Sequence, residues 1–415
     1  MKLSTWGSGG SEFRLDQARA NLSSIRLPLK HPRLVVIEPA WKKVNYLDDL
    51  IFDPPSGYRF EYSGDFDRAG KFVGYLSRSS LPYLVQQKLG EVIPLQFLVS
   101  YLRSKGETSE MKYCLTHFRS RGPYLLDMLT EMPSILSSSQ QQLHKRKAFV
   151  RKQLLSHDCK KVICWVDAGR RALIQELGDD IAEKAVVMPW GTKVREPRES
   201  NPGDALTLLF VNSSNLNDPN AFYSKGGHFV VDAFVNLKRR YKKLRLIMRS
   251  AVPRGLRQAY SSIPDLTLIN NPISRTGMHY LWQSADIFVL PNSINTPAKS
   301  FLEAMSYGIP VVSTNLWANS EIVADGKTGI LVPHHDASRF LKGDVFQETS
   351  GYFRMVFSEN PLLVQSLTGA LDTLIQDAGL RKVMGRTARA LVETGKFSIE
   401  ARNARLKVIL DSAFC

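Results

Sequence analysis

Four side chains have the type and setting to handle a phosphorylated ligand: Lys225, Arg249, Glu303 and His117. Lys225 precedes Gly226-Gly227 and the helical stretch Phe229 to Leu237, so an ammonium stands beside a helix N-terminus, a setting that suits phosphate. Arg249 closes the apolar run Leu244 to Met248 and so lies at a strand's carboxyl end. Ser300 opens a second helix, running through Phe301-Leu302-Glu303-Ala304-Met305 to Gly308, with Pro310 beyond. Glu303 falls in its first turn. There a carboxylate accepts two hydrogen bonds from a vicinal diol such as a ribose, or simply complements the helix dipole. His117 ends the run Tyr113-Cys114-Leu115-Thr116 and is expected at a strand end facing a cleft. A lone histidine is more often a satisfied structural residue.

The elements needed to position these groups are legible as alternating apolar runs and helical periods. Arg33 to Ile37, Tyr113 to His117 and Lys161 to Val166 read as buried strands of a first unit. Helices are expected at Leu81 to Leu89, Leu95 to Leu102, Ser138 to His157 and from Asp167. Ala185 to Gly191 ends that unit. Leu206 to Val211, Leu244 to Met248, Leu266 to Ile269, Ile287 to Leu290 and Ile309 to Ser313 read as strands of a second unit. Met278 to Ala285 is a helix, a polar loop spans Asn292 to Lys299, and a later loop contains Glu321. Open parallel sheets bind ligands at the carboxyl ends of their strands, which is where the four side chains fall.

A chain of 415 residues with 43% apolar content suits two domains. It has no apolar run of eighteen residues, so no membrane span is expected, and no apolar secretory segment at its start. Cys114, Cys159, Cys164 and Cys415 lack metal-ligand spacing and fit a reduced, cytoplasmic compartment. Trp6 to Phe13 reads as linker. The net charge of +16 is concentrated in Lys238 to Arg257, with nine Lys or Arg and no acid, and in His144 to Lys152. Such blocks suit a solvated helix face, an anionic membrane surface on the cytosolic side, or nucleic acid, although they lack the interleaved aromatics of a nucleic-acid platform.

The stretch from Ala285 to Pro333 resembles the donor-binding region of family 4 (GT4) glycosyltransferases, glycosyltransferase group 1, of the GT-B fold. The family pattern is P-S-x-x-E-G-F-G, four residues, E-A-M-A-x-G-x-P-V-V, then P-E-I-V-x-D-G-x-x-G-x-L-V-P. Pro291, Glu303, Ala304, Met305, Gly308 and Pro310 fall in step with it. So do Val311, Val312, Glu321, Ile322, Val323 and Asp325, then Gly326, Gly329, Leu331, Val332 and Pro333. Asn295 stands where the family has the first glutamate of its E-x7-E pair, and Thr296-Pro297-Ala298 replaces Gly-Phe-Gly. Pro297 has no N–H, so backbone donors for the ligand come from Ala298, Lys299, Ser300 and Phe301. Asn212-Ser213 replaces the family's Gly-Arg, and Lys225 keeps its lysine. Arg249 is a candidate for the missing cation. The family often has a glycine-rich loop after the first strand, absent here, and often a histidine beside the transferred sugar, a role His117 would take.

The resemblance implies two Rossmann-like α/β domains facing across a cleft, with a C-terminal helix crossing back to the first. The expected boundaries are 1–30 for a tag or extension, 31–192 for the acceptor-side domain, 193–204 for the linker, 205–390 for the donor-binding domain and 391–415 for the returning helix. It further implies a retaining transferase that uses a UDP- or GDP-sugar, a glycan or lipid-linked acceptor, and no metal or other cofactor. Asp65-Phe66-Asp67 follows no buried strand and does not read as a metal motif. The leaving pyrophosphate would then be neutralised by Lys225, Arg249 or Lys299, and the Ser300 helix dipole. Losses at Asn295 and Asn212-Ser213 leave open a catalytically silent nucleotide- or sugar-binding protein. The charge leaves open a nucleic-acid-binding or nucleic-acid-modifying one.

Overall fold

The structure, a computed structural model, describes residues 32–38, 47–63, 109–119, 121–137, 139–196, 205–212, 220–293 and 299–415. Ser213, Asn295, Ala298, the Asp65-Phe66-Asp67 run, the expected helices at 81–89 and 95–102, Trp6 to Phe13 and part of the expected linker lie outside them.

The first unit comprises β1 (Arg33–Glu38), α1 (Asp48–Phe52), β2 (Tyr58–Tyr62), β3 (Met111–Leu115), β4 (Tyr124–Asp127), α2 (Gln140–Leu155), β5 (Cys159–Cys164), α3 (Asp167–Leu177) and β6 (Ala185–Val187). Its six strands form a parallel sheet in the order β2-β1-β3-β4-β5-β6. The apolar runs form strands because a parallel sheet buries both faces, and every residue of β3 and β4 is buried.

The second unit follows as β7 (Leu206–Val211), α4 (Asn220–Ser224), α5 (Gly227–Lys238), β8 (Leu244–Arg249), α6 (Arg254–Ser261), β9 (Leu266–Ile269), α7 (Arg275–Gln283), β10 (Ile287–Leu290), α8 (Lys299–Ser306), β11 (Val311–Thr314), α9 (Asn319–Ile322) and β12 (Gly329–Val332). Its strand order is β12-β11-β10-β7-β8-β9, again parallel. The chain therefore reverses direction across the sheet between β7 and β10. In open parallel sheets a crevice lies beyond the strands' carboxyl ends at such a reversal, the usual ligand position. In the first sheet the same reversal falls between β1 and β3.

The remaining elements are α10 (His335–Ser338), the antiparallel pair β13 (Leu341–Lys342) and β14 (Val345–Phe346), α11 (Ser350–Met355), α12 (Pro361–Gln376), α13 (Ala378–Glu393) and α14 (Ile399–Ala413). Helix α14 crosses to the first unit, as the sequence led us to expect. Ser398 caps it by accepting from the Ala401 amide at 3.1 Å. The fully buried Arg402 donates to the Asp53 carbonyl at 2.7 Å and lies over the Trp190 ring at 5.3 Å. Tyr58 donates to Asp411 at 2.6 Å.

Several boundaries shift by one or two residues from the sequence expectation. The largest consequence is at β3, which ends at Leu115. Thr116 takes a left-handed backbone (φ 54°), so His117 lies beyond the strand in a turn.

Candidate active site

The crevice of the second sheet is built by three close approaches. Gly226, the residue before α5, has φ 73°, and a Cβ there would run into the Pro291 carbonyl. Glycine alone lets α5 begin against the end of β10. The Ser293 amide donates to the Ser224 carbonyl at 2.9 Å, tying the β10 loop to α4. The Asn212 amide donates to the Arg249 carbonyl at 3.0 Å, and its side chain donates to Ser250 at 3.3 Å. These contacts gather Lys225, Arg249 and the β10 loop at one place.

Lys225 is half-buried at the mouth of the crevice. Burial pulls its ammonium down to about 8, against the attraction of the Glu131 carboxylate from the first unit. Arg249 is 7% exposed, and its Nη1 donates to the Asn212 carbonyl at 3.3 Å. Burial lowers its pKa while the Glu303 carboxylate acts to raise it. Lys299, the first residue of α8, is shifted down by burial, opposed first by Glu303 and then by Asp49 of the first unit. Lys225 and Lys299 thus each lie within electrostatic reach of a carboxylate of the first unit, Glu131 and Asp49 respectively.

Helix α8 starts at Lys299, one residue before the expected Ser300, so Glu303 falls just past the first turn rather than in it; the helix buries Phe301, Leu302, Ala304 and Met305 and leaves Glu303 half-exposed on its open side. Phe301 packs edge-on to Phe288, with centroids 6.4 Å apart, so its side chain belongs to the core and only its backbone faces the helix start. Ser300 lies in the same first turn. The structure therefore places Arg249 and Lys299 within the electrostatic reach of Glu303, with Ser300 on the same helix and Lys225 before α5, next to the end of β10.

His117 differs from its expectation. Its ring is fully buried rather than facing the cleft. Nδ1 lies 2.8 Å from the Leu115 carbonyl, which makes Nδ1 the donor. Nε2 lies 3.7 Å from Glu38. Glu38 is also held by Arg119, whose Nη1 donates to its two oxygens at 2.9 and 2.7 Å. Burial pushes the Glu38 carboxyl up, but His117 and Arg119 outweigh it and hold it at about 2. This cluster sits at the first sheet's own reversal, where the ends of β1 and β3 lie side by side. Among the described residues, Glu38, Cys114 and His117 are the one group of three whose ligand-type atoms lie within 4.8 Å of one another. The Arg119 cation on Glu38 opposes a metal ion there.

The sequence reading missed the polar network beneath the β10 loop. Asn292, Ser293, Ser313, Thr314 and Asn319 are all fully buried. Asn319 donates to the Asn292 side chain and to the Thr314 carbonyl, both at 2.9 Å. Ser313 donates to the Leu290 carbonyl and Thr314 to the Asn292 carbonyl, each at 2.8 Å. Buried His334, drawn down to about 4 by burial, meets Ser293 Oγ at 3.0 Å. The available signal was an asparagine or serine placed directly after an apolar strand, where an orphaned amide would be costly.

Residues 208–343 match the family model described as Glycosyl transferases group 1. They are a group 1 glycosyltransferase domain. All five residues gathered in the crevice lie inside the glycosyltransferase domain. The chain is 33% identical over 78 residues to a D-inositol 3-phosphate glycosyltransferase of Paenarthrobacter aurescens, covering 19% of each chain. It is 27% identical over 202 residues to a phosphatidyl-myo-inositol mannosyltransferase of Mycobacterium leprae, covering 44% of this chain and 50% of that one. The matches thus span half or less of these curated relatives' own length. Among solved structures, the Anabaena protein Alr3699/HepE in complex with UDP-glucose superposes with a TM-score of 0.57 at 17% identity, over 92% of this chain and all of that one. The likeness places the glycosyltransferase domain within a GT-B fold.

Proposed function

We propose that this chain transfers a sugar from a nucleoside-diphosphate sugar to an acceptor hydroxyl. The observation that carries the reading is the placement of Arg249 at the end of β8 and of Lys299, Ser300 and Glu303 on α8, both beside the reversal between β7 and β10. Three cations and the first-turn amides of α8 give a departing pyrophosphate a preorganised positive site. Glu303 accepts from a diol of the donor. A UDP-linked donor is the first to test, since the Anabaena neighbour was solved with UDP-glucose. The family resemblance supports retention of configuration and leaving-group neutralisation by side chains rather than a metal ion. The acceptor is a glycan or lipid-linked hydroxyl; the mycobacterial relative is named for a phosphatidyl-myo-inositol acceptor.

Contact with an anionic membrane surface is part of the proposal. Helix α6, whose first turn ends the basic block Lys238 to Arg257, buries none of its residues, and no described helix is long and apolar enough to cross a membrane. Cosedimentation with anionic vesicles that is lost at high salt is the expected outcome.

The test of transfer is incubation with a panel of UDP- and GDP-sugars and candidate acceptors. Acceptor-dependent nucleotide release that falls in Lys225→Ala and Glu303→Ala supports it. UDP binding without release under every pairing would favour a silent binding protein, consistent with Asn295 and Asn212-Ser213.

A further inference from the structure

Helix α3 of the first unit has no cap of its own. The residue before it is Val166, which offers no side-chain acceptor, so its first amides are orphans. They are met from the other unit. Glu321, in α9 of the glycosyltransferase domain, accepts from the Asp167 amide through Oε2 at 2.6 Å and from the Ala168 amide through Oε1 at 2.8 Å. A carboxylate at a helix N-terminus with two short backbone donors is the strong form of this bond.

The surrounding contacts make the same crossing. Gln175 of α3 donates to the Lys342 carbonyl at 2.9 Å and accepts from the Asp344 amide at 2.9 Å. Arg171 meets Asp344 at 2.9 Å. The Glu348 carboxylate accepts from Ser134 at 2.8 Å and from the Gln140 amide at 3.0 Å. Met132 and Ala172 share an apolar cluster with Leu316 and Phe346.

Glu321 is also connected to the donor loop. Asn319, two residues earlier in α9, donates to Asn292 at the root of that loop at 2.9 Å. Lys396 of the return to α14 donates to the Glu321 carbonyl at 2.5 Å, fixing the same turn from behind.

We propose that Glu321 is a positioning residue for transfer: by capping α3 in trans, it holds the acceptor-side unit in place over the donor crevice. Glu321 touches neither donor nor acceptor. It sets the relation between the surface that carries Lys225, Arg249 and Glu303 and the surface that carries Glu38 and Arg119. The inference rests on the proposed transfer, but its structural half is readable without a substrate.

The test uses the full chain and three variants, Glu321→Ala, Glu321→Gln and Glu321→Asp, with UDP as the probe. Hydrogen exchange of the segment carrying Asp167 and Ala168 and the radius of gyration from small-angle scattering report the crossing. Calorimetry reports UDP affinity, and nucleotide release reports transfer. In Glu321→Ala we expect ~10- to 100-fold faster exchange at these two amides, a larger radius, and transfer slowed in kcat. UDP affinity should stay within about 3-fold, because the donor groups are untouched. Glu321→Gln keeps one acceptor oxygen and should recover part of the protection and of kcat, which also separates the effect from misfolding. Unchanged exchange and radius in Glu321→Ala would overturn the inference, as would a collapse of UDP affinity with the crossing intact. If wild-type chain binds neither UDP nor GDP, the transfer reading fails, while the exchange and scattering results still decide the role of Glu321 as a trans cap.

Discussion

Gly226 lies under the Pro291 carbonyl with a left-handed backbone, so the start of α5 and the end of β10 touch without an intervening side chain. Lys225 owes its place to this contact. Gly226→Ala should therefore cost about 1–3 kcal/mol in urea unfolding and weaken UDP binding in calorimetry. A variant as stable as wild type with the same UDP affinity would show that the approach is dispensable.

Lys225 titrates within reach of ordinary buffers. Its ammonium is drawn down to about 8 by burial. The charged form is the one that meets phosphate, so UDP affinity should be flat below about pH 8 and fall above it. The effect on folding has the opposite sign. The folded chain releases this proton at lower pH than the unfolded chain, so charging Lys225 in place costs stability, and the cost disappears as pH rises through about 8 toward the ordinary lysine value. Lys225→Ala should remove the pH step in UDP affinity along with most of the affinity itself.

Arg249 and Lys299 are both placed to answer for the arginine missing at Ser213. Arg249 is the more rigid, with its Nη1 on the Asn212 carbonyl. Arg249→Ala should weaken UDP ~10- to 100-fold, and Arg249→Lys should not restore it, because a point charge cannot keep both the carbonyl and a phosphate. Equal affinity in wild type and Arg249→Ala would assign the task to Lys299.

Glu303 is predicted to read the donor's diol. Glu303→Ala should lower affinity for UDP roughly 10-fold or more, and lower it less for a 2′-deoxy nucleotide that offers no diol. A loss of the same size for both nucleotides would mean that Glu303 acts only as the counterion of Arg249 and Lys299.

Glu38 sets an acid limit on stability. Its carboxyl is held at about 2 in the folded chain, against an ordinary 4.5, chiefly because His117 and Arg119 overcome the penalty of burial. A depressed carboxyl stabilises above its unfolded value and loses that contribution as pH falls toward the folded one. The contribution, on the order of 3 kcal/mol, should therefore vanish between about pH 4.5 and 2. Arg119→Ala should lower Tm at neutral pH and flatten the acid limb of the Tm profile.

Much of the frame follows from local order in the chain. Apolar runs such as Ile287–Leu290 and Leu206–Val211, bounded by turn residues, suit strands of a doubly covered parallel sheet, which they form. The spacing of Phe301, Leu302, Ala304 and Met305 leaves Glu303 on the open face of α8 whatever the neighbours are. Lys225-Gly226-Gly227 marks a helix start through backbone freedom, a property of glycine itself.

Only the folded chain decided which distant groups meet. His117 reads as a cleft histidine because β3 precedes it, yet the left-handed turn at Thr116 carries it into a buried site beside Glu38, 79 positions earlier by the chain numbering. Arg249, at the end of β8, and Glu303, on the helix after β10, come within electrostatic reach because both strands flank β7 with their carboxyl ends on the same edge of the parallel sheet. Glu321 finds its two amides 154 and 153 residues away, in the other unit. Periodicity and turn chemistry act over a few residues, whereas these pairings depend on sheet order and domain docking, which the whole packed chain sets at once.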